Sequence, residues 1–336
     1  MNEPFTFVNP ELPSLKFFLF QKHAENMKIM IVGTGAMGSV YAGVMAEAGY
    51  EVLVVDIRRD HLDAIREKGL RLEGFSGNRT IQGIRVVDTT EEAGTCDLVI
   101  ISTKALDVME AGRSIAPTIT PETPVLTIQN GLGSGTQLTQ VMPKGNVVIG
   151  VAGGFGASIK GPGHVHHNGM ALVRIGEIEG GLTERVQRIT RIWNVAGFNA
   201  REYENIDQLI WEKFICNVTL AAPCTIYDRK VGQMMEDSEA WKLCITCGIE
   251  AYTAGRAKGV SFSFEDPVDY ITRYSEKLLK ARPSMLLDHY AKRRSEIDFI
   301  NGKVPVIAGE VGTRAPFNEV MSTLIRSREA GFEDDP

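Results

Sequence analysis

The sequence predicts an α/β protein: a doubly wound, mostly parallel sheet in the amino-terminal part and an all-helical carboxy-terminal domain. Three observations carry this. A strand, a glycine-rich turn, a helix and a second strand follow one another from Lys28 to Val55. Short apolar strands then alternate with helical patterns as far as about residue 175, the order that produces parallel sheets with right-handed crossovers. Beyond about residue 200 long helical periodicities take over and strand-like runs become few.

The elements follow in order. Lys28 to Val32 is a short apolar strand, Gly33-Thr34-Gly35-Ala36-Met37-Gly38 the turn, Ser39 to Gly49 a helix, and Glu51 to Val55 a strand ending at Asp56. An acid about twenty residues past the glycines completes the βαβ spacing of a Rossmann-type dinucleotide site. Further strands are expected at Leu98 to Ser102, Val125 to Gln129, Val147 to Val151 and Leu172 to Ile175. Helices are expected at Ile206 to Leu220, Ser238 to Lys258, Val268 to Ala281 and Arg294 to Val311. This divides the chain into an extension (1–26), a dinucleotide-binding domain (27–200) and a helical domain (201–336). The extension holds an apolar patch, Leu15 to Phe20, but no basic start or cleavage site, so neither a signal peptide nor any chemistry is expected there.

Composition bounds the function classes. At 336 residues, two domains are the natural expectation. A formal charge of −6 argues against general affinity for nucleic acid, which is held by clustered Lys and Arg. No run of eighteen apolar residues points to a membrane partner. Five cysteines without framework spacing suggest reduced thiols in a cytoplasm. The isolated Cys244-x-x-Cys247 and the cluster His164, His166 and His167 lack the further ligands a metal requires, so no metal is expected. His289 and the run Lys292-Arg293-Arg294 read as a solvated helix face.

In the turn, Gly33 permits the tight bend, Gly35 lets the backbone approach a pyrophosphate, and Gly38 allows close packing of helix on strand. The helix amino terminus offers N–H groups and a positive dipole end. Asp56 suits the ribose hydroxyls of NAD, whereas Arg58 and Arg59 suit the extra phosphate of NADP. Lys213 and Asn217, four apart, share one helix face among apolar neighbours, and a desolvated lysine is suited to proton donation near neutral pH. Spacing alone favours the blander alternative, a solvated lysine on an amphipathic helix.

Six motifs taken together change that weighting: GTGAMG (33–38), TKA (103–105), QNGLG (129–133), GPGHVHH (161–167), WEKFICN (211–217) and SML…EIDFING (284–301). From about Lys28 to Val320 the chain closely resembles the ketopantoate reductase family. The resemblance implies a cleft between the two domains and reduction of 2-dehydropantoate to pantoate, a step of pantothenate biosynthesis. NADP is the implied cofactor, with NAD open because of Asp56, and a homodimer the implied assembly. It implies Lys213 as proton donor and Glu296 as its companion near the cofactor. It places Asn130, Asn217 and Ser284 at the substrate, and Lys104, Asn130, Gly156 and Glu296 along the cofactor. Two departures stand out: where the family carries one asparagine beyond the lysine, both candidate positions, Ala221 and Ala222, are alanine, and where it carries another before a glycine, this chain has Val231. They point to an alternative, a more apolar 2-oxo acid reduced by the same chemistry. An alternative of another class is a nucleotide sensor without catalysis, against which Lys213, Asn217, Ser284 and Glu296 speak.

Overall fold

The computed structural model describes residues 27–332; the extension 1–26 and the acidic end lie outside the described residues. An eight-stranded sheet forms the amino-terminal part. Its strands are β1 (Lys28–Val32), β2 (Glu51–Val55), β5 (Arg85–Val86), β6 (Leu98–Ile101), β7 (Val125–Thr127), β8 (Val147–Gly153), β11 (Leu172–Glu177) and β12 (Ala200–Glu202), in the order β12-β11-β8-β7-β6-β1-β2-β5. All pairings are parallel except β11 with β8. Both faces are covered, so β1, β6 and β7 are mostly apolar, as in Leu98-Val99-Ile100-Ile101, which suits a strand buried on both sides. The expected boundary near Ala200 falls inside the last strand.

A second, four-stranded sheet was not anticipated. It joins β3 (Leu70–Gly74), β4 (Arg79–Ile81), β9 (Gly156–Gly161) and β10 (His164–Gly169) in the order β4-β3-β10-β9. Its short strands are half-exposed and pair over long sequence distances, so they leave little periodic signal. The histidines belong here: His164 lies 3.1 Å from Glu73, and His167 is buried between the rings of Phe75 and Phe155.

The helical part is built around Ile206–Tyr227, which opens with Asn205 accepting from the Gln208 N–H at 3.2 Å. It runs a full seven residues beyond the expected Leu220, through Pro223. A proline inside a helix removes one rung of the ladder, and here Asn301 braces the rung just before it. The Asn301 amide donates to the Val218 carbonyl at 2.8 Å and accepts from the Ala222 N–H at 3.3 Å. This helix has the length and hydropathy of a membrane span, yet 72% of that window is buried inside the fold, where it packs against Ser238–Ala257. The helix expected over Arg294 to Val311 is instead a 3₁₀ turn, Ile297–Phe299, followed by Lys303–Glu310. The reason is tertiary: Glu296 and Phe299 turn towards the amino-terminal part and bond to its backbone. His289 is likewise not solvated but buried against Glu329 at 3.1 Å.

Candidate active site

The phosphate loop is shaped by what a side chain there would strike. Gly33 has φ +92°, and a Cβ on it would lie 2.5 Å from the Thr103 nitrogen. A Cβ on Gly38 would lie 2.0 Å from the Gly33 carbonyl oxygen. Gly35 differs, since a Cβ there would meet nothing within 4 Å. It faces open space at the head of the helix Ala36–Glu47, which no side chain caps, so the first-turn N–H groups remain available to an anion.

Thr34 is buried, and its carbonyl accepts from the Ser39 hydroxyl at 3.1 Å. Ser39 Oγ in turn lies 3.0 Å from His61 Nε2, while His61 Nδ1 accepts from the Gly163 N–H at 3.1 Å. With Nδ1 accepting, the ring proton sits on Nε2 and faces Ser39. Burial, helped by Arg58, lowers the His61 pKa and keeps the ring neutral. This relay under the loop was not legible in the sequence, because a serine and a histidine 22 residues apart form no motif.

At the end of β2, Asp56 accepts from the Arg58 N–H at 2.9 Å. The Arg58 guanidinium pairs with Asp60 at 3.1 Å, and Arg59 with Asp88 at 2.7 Å. Ion pairs this exposed are weak, so either arginine can exchange its carboxylate for a phosphate at small cost.

The lysine site is assembled from both parts of the molecule. Lys213 Nζ donates to Asn130 Oδ1 at 2.9 Å and to the Ala152 carbonyl at 2.6 Å. Asn130 stands in the loop after β7, where Gly131 has φ +84° and comes so close to Phe299 that a Cβ would lie 2.4 Å from its carbonyl oxygen. Desolvation pushes the Lys213 ammonium from its ordinary 10.5 down to about 8, against the opposing pull of Glu296. Glu296 is buried, which raises its pKa; Lys104 and the Ala105 N–H, donating at 3.0 Å, act in the other direction. Lys104 itself reaches across to Asp288 at 2.7 Å, and Asp288 also receives Arg293 at 3.2 Å.

Beside Lys213 opens a small cleft of about 50 Å³, lined by Gln129, Asn130, Gly131, Val151, Ile210, Phe214 and Asn217 among others. The structure therefore brings Lys213, Asn130 and Asn217 together, with Glu296 within electrostatic reach and Lys104 near Glu296. Ser284 is not among the cleft residues; it is exposed at the start of the helix Ser284–Tyr290. Gly156, at the start of β9, packs against Asn168 outside the cleft. Ala221, Ala222 and Val231 are buried in the helical core. Sequence reading missed Ala152, which acts through its carbonyl, and Asp288, although its position four residues after Ser284 on one helix was a usable signal.

Family models now decide the grouping. The model described as Ketopantoate reductase PanE/ApbA matches residues 29–180, and that of its C-terminal domain matches 205–329. The chain belongs to the ketopantoate reductase family. It is 30% identical over 305 residues to 2-dehydropantoate 2-reductase of Streptococcus pyogenes serotype M3, covering 90% of this chain and 98% of that one. It is 31% identical, with the same coverage, to the enzyme of that name from Pyrococcus horikoshii. Among solved structures, a PanE/ApbA family ketopantoate reductase from Ralstonia eutropha superposes with a TM-score of 0.83 at 28% identity, over 90% of this chain and 99% of that one. D-mandelate dehydrogenase with NADH and anilino(oxo)acetate superposes with a TM-score of 0.84 at 26% identity, over 91% and 99%. The ketopantoate reductase fold expected from the motifs is thus present, and the protein is an oxidoreductase acting on CH–OH groups with a nicotinamide cofactor.

Proposed function

We propose that this protein reduces 2-dehydropantoate to pantoate with NADPH, Lys213 delivering the proton. The observation that carries this reading is a desolvated lysine, with its pKa brought to about 8, held by Asn130 and Ala152 at the edge of a cleft between the two parts.

The phosphate loop fits a dinucleotide: the space over Gly35 is open and the helix amino terminus behind it is uncapped. A nicotinamide dinucleotide bound there supplies the hydride. Lys213 then does two things for the carbonyl oxygen of the oxo acid. Its positive charge favours the negative charge that develops on that oxygen, and its Nζ proton moves there to complete the alcohol. Asn130 and the Ala152 carbonyl orient the ammonium, and Glu296 opposes the lowering of its pKa by burial. Asn217, one helical turn beyond Lys213, lines the same cleft and can bond a substrate oxygen. Arg58 supports NADPH, since its partner Asp60 is exposed and readily displaced by a 2′-phosphate. All five cysteines are buried free thiols, which supports a reducing, cytoplasmic setting. A homodimer remains our expectation from the family.

Cofactor oxidation followed with NADPH and NADH over a panel of 2-oxo acids tests the reading. Highest kcat/KM with 2-dehydropantoate and NADPH is expected; no turnover of any 2-oxo acid would leave only a nucleotide-binding protein. A second reading, reduction of a more apolar oxo acid, is favoured by the likeness to D-mandelate dehydrogenase with anilino(oxo)acetate. Ala221, Ala222 and Val231 do not bear on it, since they are buried in the helical core and do not line the cleft. Competition between phenylglyoxylate and 2-dehydropantoate separates the two.

A further inference from the structure

Strand β11 alternates. Val173 and Ile175 point into the hydrophobic core under the sheet. Arg174 and Gly176 therefore point the other way, and Gly176 packs so closely on Ile206 that a Cβ would lie 2.7 Å from the Ile206 Cβ. That face looks at the helix that carries Lys213. In the antiparallel register Arg174 sits opposite Val151, which lines the cleft, and beside Ala152, whose carbonyl holds Lys213. One guanidinium nitrogen of Arg174 lies 3.7 Å from where a Cβ on Gly153 would stand.

Among the described residues this half-buried guanidinium has no hydrogen-bond or ion-pair partner. The contrast with its own strand is direct: three residues on, the Glu177 carboxylate is taken up by Arg185 and Thr183. Arg174 is also close enough to Lys213 for its charge to disfavour the ammonium there. Two cations this close repel, and the arrangement becomes more favourable when a further carboxylate joins them.

Building on the reading above, we propose that Arg174 is the anchor for the carboxylate of the 2-oxo acid, binding it as a two-pronged fork while Lys213 serves the neighbouring carbonyl oxygen. In a 2-oxo acid these two groups sit on adjacent carbons, so two cations on neighbouring elements, one in the cleft and one opposite its Val151 wall, match its chemistry. The assignment makes Arg174 a specificity-determining residue. It also makes the carboxylate, rather than the side chain of the substrate, the feature the site demands.

The test compares wild type, Arg174→Gln and Arg174→Lys on 2-dehydropantoate and phenylglyoxylate, each against its neutral carboxamide, with cofactor affinity measured by fluorescence titration. In Arg174→Gln, KM for the acids rises about 10- to 100-fold, kcat changes by less than about threefold, and cofactor affinity is unchanged. The preference for acid over carboxamide collapses to near unity, and Arg174→Lys recovers part of it. If wild type reduces the acids and Arg174→Gln keeps both its KM and its acid preference, the anchor is elsewhere and the proposal fails alone. If wild type reduces neither acid, the functional reading fails and takes this one with it. A folding defect in Arg174→Gln shows as lost cofactor affinity, in which case acid preference in Arg174→Lys decides: parity with wild type in KM and preference overturns the proposal, and an intermediate value supports it.

Discussion

The phosphate loop and the lysine site are built in opposite ways. The loop is local: Gly33, Gly35 and Gly38 lie within six residues, and each is explained by backbone passing within 3 Å or by open space above it. The lysine site is remote in sequence. Lys213 bonds to Asn130, 83 residues away, and Glu296 bonds to the backbone of Ala105, 191 residues away. A local device can be written as a motif because its geometry is carried by consecutive dihedral angles. A remote one exists only when two parts of the chain pack together, so its residues are ordinary until their neighbours are known.

Four experiments probe that contrast, from the largest expected effect to the smallest. Lys213→Ala should lower kcat by about 10²- to 10⁴-fold while cofactor affinity stays within about twofold. Steady-state kinetics with a fluorescence titration check both, and near-wild-type turnover sinks the role assigned to the lysine. Raising the pH from 7 to 9 should cost roughly tenfold in kcat/KM, because the donor is the protonated form and its pKa of about 8 lies between. The sign for stability is opposite. The unfolded lysine, with its ordinary 10.5, holds the proton more tightly, so the destabilising contribution is complete below about pH 8 and is relieved as pH rises towards 10.5. Lys213→Met should accordingly flatten both trends, and a basic limb unchanged by that variant in its residual activity assigns the limb to another group.

Gly38→Ala tests the local half. Its methyl group would be forced to 2.0 Å from a carbonyl oxygen, so the helix must shift from the strand. A loss of about 1–3 kcal/mol in unfolding free energy is expected, together with weakened cofactor binding. A variant that binds cofactor normally contradicts the close-packing role. The smallest effect is expected from Ser39→Ala, which cuts the relay between His61 and the Thr34 carbonyl. One buried hydrogen bond is worth about 1 kcal/mol, or roughly fivefold in cofactor KM with kcat preserved. Equal losses in kcat and KM terms would place the relay's influence outside the loop.

Much of the fold was legible beforehand, for a physical reason. Strands buried on both faces must be apolar throughout, so β1, β2, β6, β7 and β8 announce themselves. The four-stranded sheet did not, because its edges face solvent and its β3–β10 pairing joins residues about 90 apart. The helix expected from Arg294 failed because Glu296 and Phe299 are claimed by partners in the other half. Conversely, the Ile206–Tyr227 helix runs on past Pro223 with Asn301 bridging the neighbouring rung between the Ala222 N–H and the Val218 carbonyl. Local propensity cannot foresee either outcome, since in both the deciding partner is about 75 or more residues away.

For the candidate site the division is similar. The motifs named Lys213, Asn130 and Asn217, and the structure places all three at one cleft. Ser284 carries a motif yet stays exposed, and Arg174 carries none yet stands unpaired beside the lysine.

By itself, then, the sequence determined the parallel core and the phosphate loop, because these depend on residue type and on short-range backbone geometry, whereas the lysine stood out only through the family motifs. Only the tertiary structure decided that Lys213 is desolvated, that Glu296 is buried against Ala105, and that an arginine on a strand with no motif stands close to the lysine. Burial and electrostatic environment are properties of what surrounds a residue, and here the surroundings come from the other half of the chain.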